Sequence, residues 1–285
     1  MIYILYNLLA NNKSGESASE EVKGILSGKE FTVKDITKEG NLSQYIKPLE
    51  EGDSLVIVGG DGTLNRVINN LYGKIKWDNV YYYAAGSGND FAHDVKDCEK
   101  FLSFLIPLKK FVKNLPTVYV NGMERKFING IGFGIDGYCC EMGDKQRAIS
   151  TDKINYTAIA IKGLLGKFKP CNGRIIVDGV EKRYKKIWLA PTMIGKYYGG
   201  GMMVTPDQDR LNAEHTVSAV VWQGGGKLGT LMKFPKIFEG THLKYKRNIH
   251  CFVGHEIVIE FDKPQALQID GETVKNVTSY TVKYN

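Results

Sequence analysis

Through the first hundred residues, strand-like apolar runs alternate with segments whose apolar residues have the spacing of a helix. The strand-like runs are rich in β-branched and aromatic residues and lie at residues 2–6, 30–37, 55–58 and 81–85. Apolar positions with helical spacing follow them at residues 17–26, 42–49, 65–71 and 97–105. The run Leu55-Val56-Ile57-Val58 is unbroken, which is typical of a strand buried on both faces. This order of strands and helices predicts an α/β domain with a doubly wound parallel sheet.

From residue 117 onward the chain shows short alternating runs instead. They lie at residues 117–120, 126–129, 174–177, 186–190, 216–221 and 256–260. Asn121-Gly122 and Asp178-Gly179 are typical hairpin turns, and only residues 156–167 read as a clear helix. The pattern predicts a C-terminal antiparallel β-sandwich. We therefore predict two domains, 1–116 and 117–285, with the extreme C-terminus free to return to the first.

Composition narrows the class of protein. The chain has 285 residues, 43% hydrophobic and 24% charged, which is typical of a soluble globular protein. The apolar stretch at 156–165 is cut by Lys162, and the first residues lack a basic leader, so we expect a cytoplasmic protein. Five cysteines without C-x-x-C spacing indicate neither a disulfide framework nor a zinc site.

Charge is unevenly distributed along the chain. Residues 1–100 hold 11 Lys and Arg against 15 Asp and Glu, whereas residues 101–285 hold 27 against 16. A basic half is attracted to anionic lipid, and nucleic acid would be attracted by the same field. Scattered lysines that keep a protein in solution are the commoner explanation for a charge of this size.

Two glycine-rich turns follow two of the predicted strands. Gly59-Gly60-Asp61-Gly62-Thr63 ends the run at 55–58, and Gly86-Ser87-Gly88-Asn89-Asp90 ends the run at 81–85. Glycines let backbone N–H groups approach an anion, and a helix start behind them adds a positive dipole end. Each turn alone is equally well explained as a tight connection, but the pair favours a phosphate site.

The two turns extend to Gly59-Gly60-Asp61-Gly62-Thr63-Leu64-Asn65 and Gly86-Ser87-Gly88-Asn89-Asp90-Phe91-Ala92, a pair that resembles the signature motifs of the diacylglycerol kinase catalytic family. This family includes bacterial lipid kinases and, more distantly, sphingosine kinases. The first motif is shared with NAD kinases and phosphofructokinases, whereas the second points to the lipid kinases. The nucleotide-binding residues that the resemblance implies are Asn7, Thr37, Gly59, Gly60, Asp61, Gly62, Thr63, Asn65, Gly86, Ser87, Asn89 and Asp90.

The resemblance also implies a reaction and its partners. ATP with Mg²⁺ would phosphorylate the hydroxyl of a lipid alcohol, diacylglycerol first among them, with the nucleotide on the N-terminal domain and the acceptor on the β-rich one. We expect transient peripheral contact with an anionic membrane and no nucleic-acid partner, and we leave a homodimer open. Two alternatives also stay open: a NAD kinase, and a nucleotide- or lipid-binding protein without turnover.

Asp270-Gly271-Glu272 places two carboxylates around a glycine near the C-terminus. An ordinary Asp-Gly hairpin turn is the simplest interpretation of the triplet. The family, however, carries Asp-Gly-Glu with its acidic residues in the active site, which implies that Asp270 and Glu272 are catalytic. The first glycine motif adds Asp61 as a third catalytic residue. We predict Glu272 as the base and Asp61 near Mg²⁺ and the γ-phosphate, with Asp61 as base the alternative.

The resemblance also bears on a second metal site. The family commonly holds a structural Mg²⁺ in an Asp-Asp-Gly type of loop after a proline, and here Pro206 is followed by a loop in which Asn212 and Ala213 stand where Asp and Gly are expected. Asn keeps a carbonyl ligand but loses the charge, so Mg²⁺ affinity should fall. The candidate ligands are Asp209, Asn212 and Glu214.

Overall fold

The computed structural model describes residues 1–8, 15–37, 42, 50–150, 154–166 and 168–284. The chain divides into two compact units, Met1–Leu115 and Pro116–Asn285. Within the described residues, no helix is long and apolar enough to cross a bilayer. The predicted helix at 42–49 lies, apart from Leu42, outside the described residues.

The first unit contains a five-stranded sheet in the order β2-β1-β3-β4-β5. Its strands are β1 (Ile2–Tyr6), β2 (Phe31–Asp35), β3 (Ser54–Gly59), β4 (Val80–Ala84) and β5 (Ile106–Pro107). Its helices are α1 (Gly15–Ile25), α2 (Asp61–Leu71), α3 (Asp90–Asp94) and α4 (Lys109–Val112). The first four strands are parallel and β5 is antiparallel to β4, so the predicted α/β architecture is confirmed.

Two helix predictions in this unit need correction. Helix α2 begins at Asp61 rather than at residue 65, because Gly60 is still extended and Leu64 N–H already donates to Gly60 O at 3.0 Å. The helix predicted at 97–105 is wrong. Leu102 and Ser103 adopt positive φ angles of 50° and 66°, which turn the chain and cannot continue a right-handed helix.

The second unit is built from antiparallel strands. They are β6 (Thr117–Val120), β7 (Met123–Lys126), β8 (Gly130–Phe133), β9 (Cys171–Val177), β10 (Val180–Leu189), β11 (Thr192–Met193), β12 (Tyr197–Tyr198), β13 (Met202–Met203), β14 (Val217–Gln223), β15 (Ile249–Gly254), β16 (Glu256–Ile269) and β17 (Glu272–Lys283). The helices are α5 (Ile135–Arg147), α6 (Tyr156–Leu165) and α7 (Lys227–Lys233).

The long strand β16 closes this sheet into a barrel-like sandwich. Its first half pairs with β9 through Ile257–Phe261, and its last residues, Leu267–Ile269, pair with β8. Strands β8, β11, β14, β10, β9 and β16 therefore form a closed ring, from which β17, β6 and β7 continue. The predicted antiparallel β-sandwich is confirmed. Its sheet closes into a ring, which the alternation of apolar and polar residues along the chain does not reveal.

The expectation of a single helix in this unit is corrected, because the described residues include α5 and α7 as well as α6. All three cover one apolar cluster, in which Ile135 of α5 and Leu164 of α6 pack with Trp188 and Trp222 of the sheet. Glycine-rich sequences precede α5 and α7, and their apolar stripes are short, which explains why periodicity missed them.

Candidate active site

The two glycine turns of the first unit meet backbone to backbone. A Cβ atom on Gly86 would lie 2.5 Å from Gly60 Cα, and a Cβ atom on Gly60 would lie 3.0 Å from Gly86 Cα. Gly59 O accepts from Ala85 N at 2.8 Å and from the hydroxyl of Tyr82 at 2.9 Å. The turns therefore form one surface at the carboxyl ends of β3 and β4.

The start of α2 offers backbone donors at this surface. The N–H groups of Asp61, Gly62 and Thr63 precede the first in-helix bond, so they have no acceptor within the helix. Gly62 is exposed, and among the described residues nothing lies within 4 Å of where its Cβ would be. Such a helix start can hold a phosphate group through its N–H groups and dipole.

Asp61 connects α2 with α3. Its two carboxylate oxygens accept the backbone N–H groups of Asp90 at 3.0 Å and Phe91 at 2.9 Å. Asp61 is thus the first residue of α2, and its carboxylate caps the first turn of α3. Both bonds come from backbone N–H groups of α3, so the position of Asp61 is fixed relative to the second turn.

Asn89 shapes the second turn. It adopts a left-handed conformation with φ 54°, and its Oδ1 accepts from Gly86 N at 2.8 Å while its Nδ2 donates to Gly86 O at 2.9 Å. The amide thereby closes the turn, in which Ser87 and Gly88 are exposed to solvent. Asp90 is buried behind it.

Asn7 and Thr37 come together at the ends of β1 and β2. Asn7 Nδ2 donates to Thr63 Oγ1 at 3.0 Å, and Leu8 N donates to Thr37 Oγ1 at 2.9 Å. The Thr37 hydroxyl donates to Asp35 Oδ1 at 2.5 Å and lies 3.1 Å from Asn7 Oδ1. The network ties the polar strand ends to α2, although the loop at 9–14 lies outside the described residues.

Asp35 was missed by the sequence reasoning, although an acidic residue at a strand end is a usable signal. Arg66, also missed, donates to the carbonyl oxygens of Ile36 and Thr37. Asn65 differs from the other predicted residues, since it is 1% exposed on the inner face of α2 and accepts from Asn69 Nδ2 at 3.1 Å. Its amide is directed into the unit rather than towards the open end of α2.

In the second unit, Asp270 and Gly271 form the two-residue turn between β16 and β17. Both have positive φ, 45° and 89°, and Ile269 pairs with Glu272 across the turn. The carboxylate of Asp270 accepts backbone N–H groups of Ile128 at 2.7 Å, Asn129 at 2.9 Å and Gly130 at 3.0 Å. Burial raises the pKa of Asp270 to about 6, and the three N–H donors oppose that rise.

Glu272 differs from Asp270 in exposure and partner. Its side chain is 48% exposed, and its Oε2 lies 2.5 Å from Nη1 of Arg125 on β7. The triplet is therefore a hairpin turn whose first carboxylate organises residues 128–130 and whose second is directed to solvent. Glu272 has the access that a proton acceptor for a substrate requires.

A further buried carboxylate, Asp136, was not predicted. It lies in the first turn of α5, and the hydroxyl of buried Tyr198 donates to it. Burial raises the pKa of Asp136 to about 7, partly offset by the Tyr198 hydrogen bond. The sequence signal was its place directly after the glycine-rich run at 130–134.

The three side chains predicted to hold the structural metal are either engaged with protein groups or exposed. Asp209 Oδ1 accepts from Leu211 N at 2.9 Å, the Asn212 amide is engaged with backbone groups, and Glu214 is exposed. Across the described residues, no three or more His, Cys, Asp or Glu side chains are grouped so that they could hold a metal ion.

Comparison with known proteins identifies the family. Residues 1–112 match the diacylglycerol kinase catalytic domain, and residues 129–282 match the YegS C-terminal NAD kinase beta sandwich-like domain. The chain therefore belongs to the diacylglycerol kinase catalytic family of lipid kinases, and the resemblance of the two motifs is confirmed. Kinases of this family use ATP.

Individual relatives are distant. A diacylglycerol kinase of Mycobacterium tuberculosis is 24% identical over 197 residues, which cover 67% of this chain and 62% of that protein. The crystal structure of a diacylglycerol kinase from Bacillus anthracis superposes with a TM-score of 0.63 at 16% identity, covering 100% of this chain and 96% of that one. The similarity to the Bacillus anthracis structure supports the fold alone.

Proposed function

We propose that this protein transfers the γ-phosphate of ATP to the hydroxyl of a lipid alcohol, with diacylglycerol as the first substrate to test. The observation that carries the proposal is the Asp61 carboxylate, which joins the two motif turns by accepting from Asp90 and Phe91 N–H. Family membership and the similarity to a mycobacterial diacylglycerol kinase support the choice of a lipid acceptor.

The first unit is proposed to bind the nucleotide. The exposed Gly62, the open space above it and the N–H groups at the start of α2 fit a phosphate chain. Gly59, Gly60 and Gly86 lack the Cβ atoms that would crowd the two turns, while Asn7, Thr37 and Thr63 would contact nucleotide at the neighbouring strand ends. Ser87, Asn89 and Asp90 form the second turn, and Asn65 supports α2 from inside.

Asp61 is the residue proposed to hold Mg²⁺ with the nucleotide. A carboxylate at the start of α2, beside the proposed phosphate site, is the kind of oxygen ligand that a hard cation prefers. When bound, such an ion would neutralise charge on the transferring phosphate.

The second unit is proposed to supply the acceptor side and the base. As the acceptor oxygen bonds to the γ-phosphorus, the bond from that phosphorus to the bridging oxygen breaks, and ADP leaves with the electron pair. Glu272 takes the hydroxyl proton, and Arg125 positions the carboxylate through their ion pair. Asp270 acts as a positioning residue, because its buried carboxylate accepts the backbone N–H groups of residues 128–130.

An apolar face on α6 and α7 is proposed to contact the membrane. Ile161 and Leu165 are exposed one turn apart on α6, and Leu228 and Met232 are exposed one turn apart on α7. Lys227 Nζ joins the helices by donating to Leu165 O at 3.2 Å and Gly166 O at 2.8 Å.

Two exposed lysines adjoin these apolar side chains in sequence, since Lys162 follows Ile161 on α6 and Lys227 precedes Leu228 on α7. Apolar side chains with lysines beside them complement a bilayer that contains anionic lipid. We propose that the protein works in the cytoplasm and reaches its lipid substrate there, at the membrane surface.

The experiment is a comparison of wild-type phosphate transfer from ATP to diacylglycerol in mixed micelles, to a panel of lipid alcohols, and to NAD. Transfer to a lipid alcohol is expected. Transfer to NAD alone would favour a NAD kinase, and ATP binding without transfer to any acceptor would favour a binding protein.

A further inference from the structure

The loop after Pro206 has its hydrogen-bonding groups occupied by two neutral amides. Asn212 Nδ2 donates to Asp209 O at 2.7 Å and to Thr216 O at 3.0 Å. Gln208 Nε2 donates to the same two carbonyl oxygens, at 3.2 Å and 3.0 Å. A carbonyl oxygen has two lone pairs, so both oxygens are fully used.

The acceptor sides of these amides are occupied as well. Asn212 Oδ1 accepts from Thr216 N at 2.8 Å and from Thr216 Oγ1 at 3.1 Å, and Gln208 Oε1 accepts from Ser218 Oγ at 2.5 Å. The opposite flip of the Asn212 amide would set its NH₂ against Thr216 N–H and its oxygen against two carbonyls. The orientation is therefore fixed by its partners.

The charged side chains of this loop are engaged as well. Arg210 is 6% exposed, and its guanidinium donates to Ile128 O at 2.9 Å and Asn129 Oδ1 at 3.3 Å. The carboxylate of Asp209 accepts from Leu211 N at 2.9 Å.

We propose that this chain has replaced the structural metal of its family's loop by the Asn212 amide, whose two N–H groups bind the carbonyl oxygens that a cation would otherwise hold together. The loop then keeps its shape without Mg²⁺. This role is independent of the nucleotide-bound Mg²⁺ and of the kinase reaction.

The substitution Asn212→Asp tests the proposal, because it replaces the donating NH₂ by an oxygen. That oxygen would face the carbonyl oxygens of Asp209 and Thr216 without a proton between them, so the three oxygens would repel one another. A divalent cation bound among them would relieve this repulsion. The matched control is Asn155→Asp, which makes the same change at the N-cap of α6, where only Oδ1 accepts from Ala158 N at 2.9 Å.

The measurement is the thermal unfolding midpoint of the full chain without nucleotide, in EDTA and in Mg²⁺. The wild-type and Asn155→Asp midpoints are expected to be equal in both buffers. The Asn212→Asp midpoint should fall by about 5 °C or more in EDTA and recover in Mg²⁺. A wild-type midpoint that falls in EDTA, or an Asn212→Asp midpoint that ignores Mg²⁺, would overturn the proposal.

A second measurement needs only the wild type. Titration of nucleotide-free protein with Mn²⁺, followed by electron paramagnetic resonance, should give the signal of free Mn²⁺ throughout. Retention of one equivalent of Mn²⁺ that Asn212→Ala abolishes would contradict the replacement of the metal.

Discussion

Gly60 and Gly86 belong to different strand-to-helix turns, yet their Cα atoms pack so closely that a Cβ atom on Gly86 would lie 2.5 Å from Gly60 Cα. The contact explains why both motifs need glycine at these positions irrespective of any ligand. It also separates two kinds of glycine in the first motif, because Gly60 is restricted by protein atoms and Gly62 is open to solvent.

The Gly86 contact gives a stability prediction. Gly86→Ala should lower the free energy of unfolding by about 1–3 kcal/mol, because the methyl group would be forced against backbone. Gly62→Ala should match the wild type or exceed it by about 1 kcal/mol, since alanine is favoured in helices. Denaturant unfolding of both variants checks the pair, and equal stabilities would refute the close approach.

The nucleotide prediction uses the open glycine. Gly62→Val should fold, because nothing among the described residues occupies the space, but it should weaken ATP binding at least tenfold, a loss of about 1.4 kcal/mol. Gly60→Val is a poorer test, because its side chain would meet Gly86. Calorimetric titration of the folded Gly62→Val variant with ATP tests this prediction. An unchanged affinity for ATP would contradict the phosphate site at the start of α2.

Sequence pattern alone predicted much of the first unit, because β1, β3 and β4 are mostly apolar runs and β2 alternates apolar and polar residues, and polar residues follow each of these strands. The false helix at 97–105 has helical spacing, but Leu102 and Ser103 adopt positive φ angles, which side-chain pattern does not encode. Closure of the second unit was also beyond the pattern, since it depends on β16 pairing with β8 and β9 along different parts of one strand.

The candidate site was predictable only with the family resemblance. Glycines and carboxylates were identified from local motifs, but the bond from Asp61 to Phe91 N–H joins residues far apart in sequence. The same holds for Arg125, which meets Glu272 across strands that are distant along the chain. No local pattern contains these pairings.

Asp136 predicts a pH dependence of stability. Its pKa rises from 3.8 to about 7 on folding, so the native protein binds the proton more tightly than the unfolded chain. Its contribution is complete below about pH 4 and is lost as the pH rises through about 7. Relative to the wild type, Asp136→Asn should become more stable by up to about 4 kcal/mol over this window.

The measurement is denaturant unfolding of the wild type and Asp136→Asn at several pH values. The difference isolates Asp136 from Asp270, whose pKa is raised in the same direction. A difference that does not change between pH 4 and pH 8 would show that Asp136 has an ordinary pKa.

The α6–α7 face predicts how the protein binds vesicles. Leu228→Glu with Met232→Glu should reduce sedimentation with anionic vesicles about tenfold or more, by removing apolar contact and adding repulsion. Val180→Glu is the matched control, because Val180 is 65% exposed on β10. Wild-type binding should weaken with salt. Equal loss in the control, or equal binding to neutral vesicles, would exclude this face.

The most direct test of the proposed kinase is single-turnover and steady-state phosphate transfer to diacylglycerol by Glu272→Gln. Glutamine keeps the shape and can still accept from Arg125, but it cannot take the acceptor proton. We predict ATP affinity near that of the wild type and a kcat lower by about 10²–10⁴-fold. A variant that transfers phosphate as fast as an active wild type would contradict the assignment of Glu272 and move the base role to Asp61.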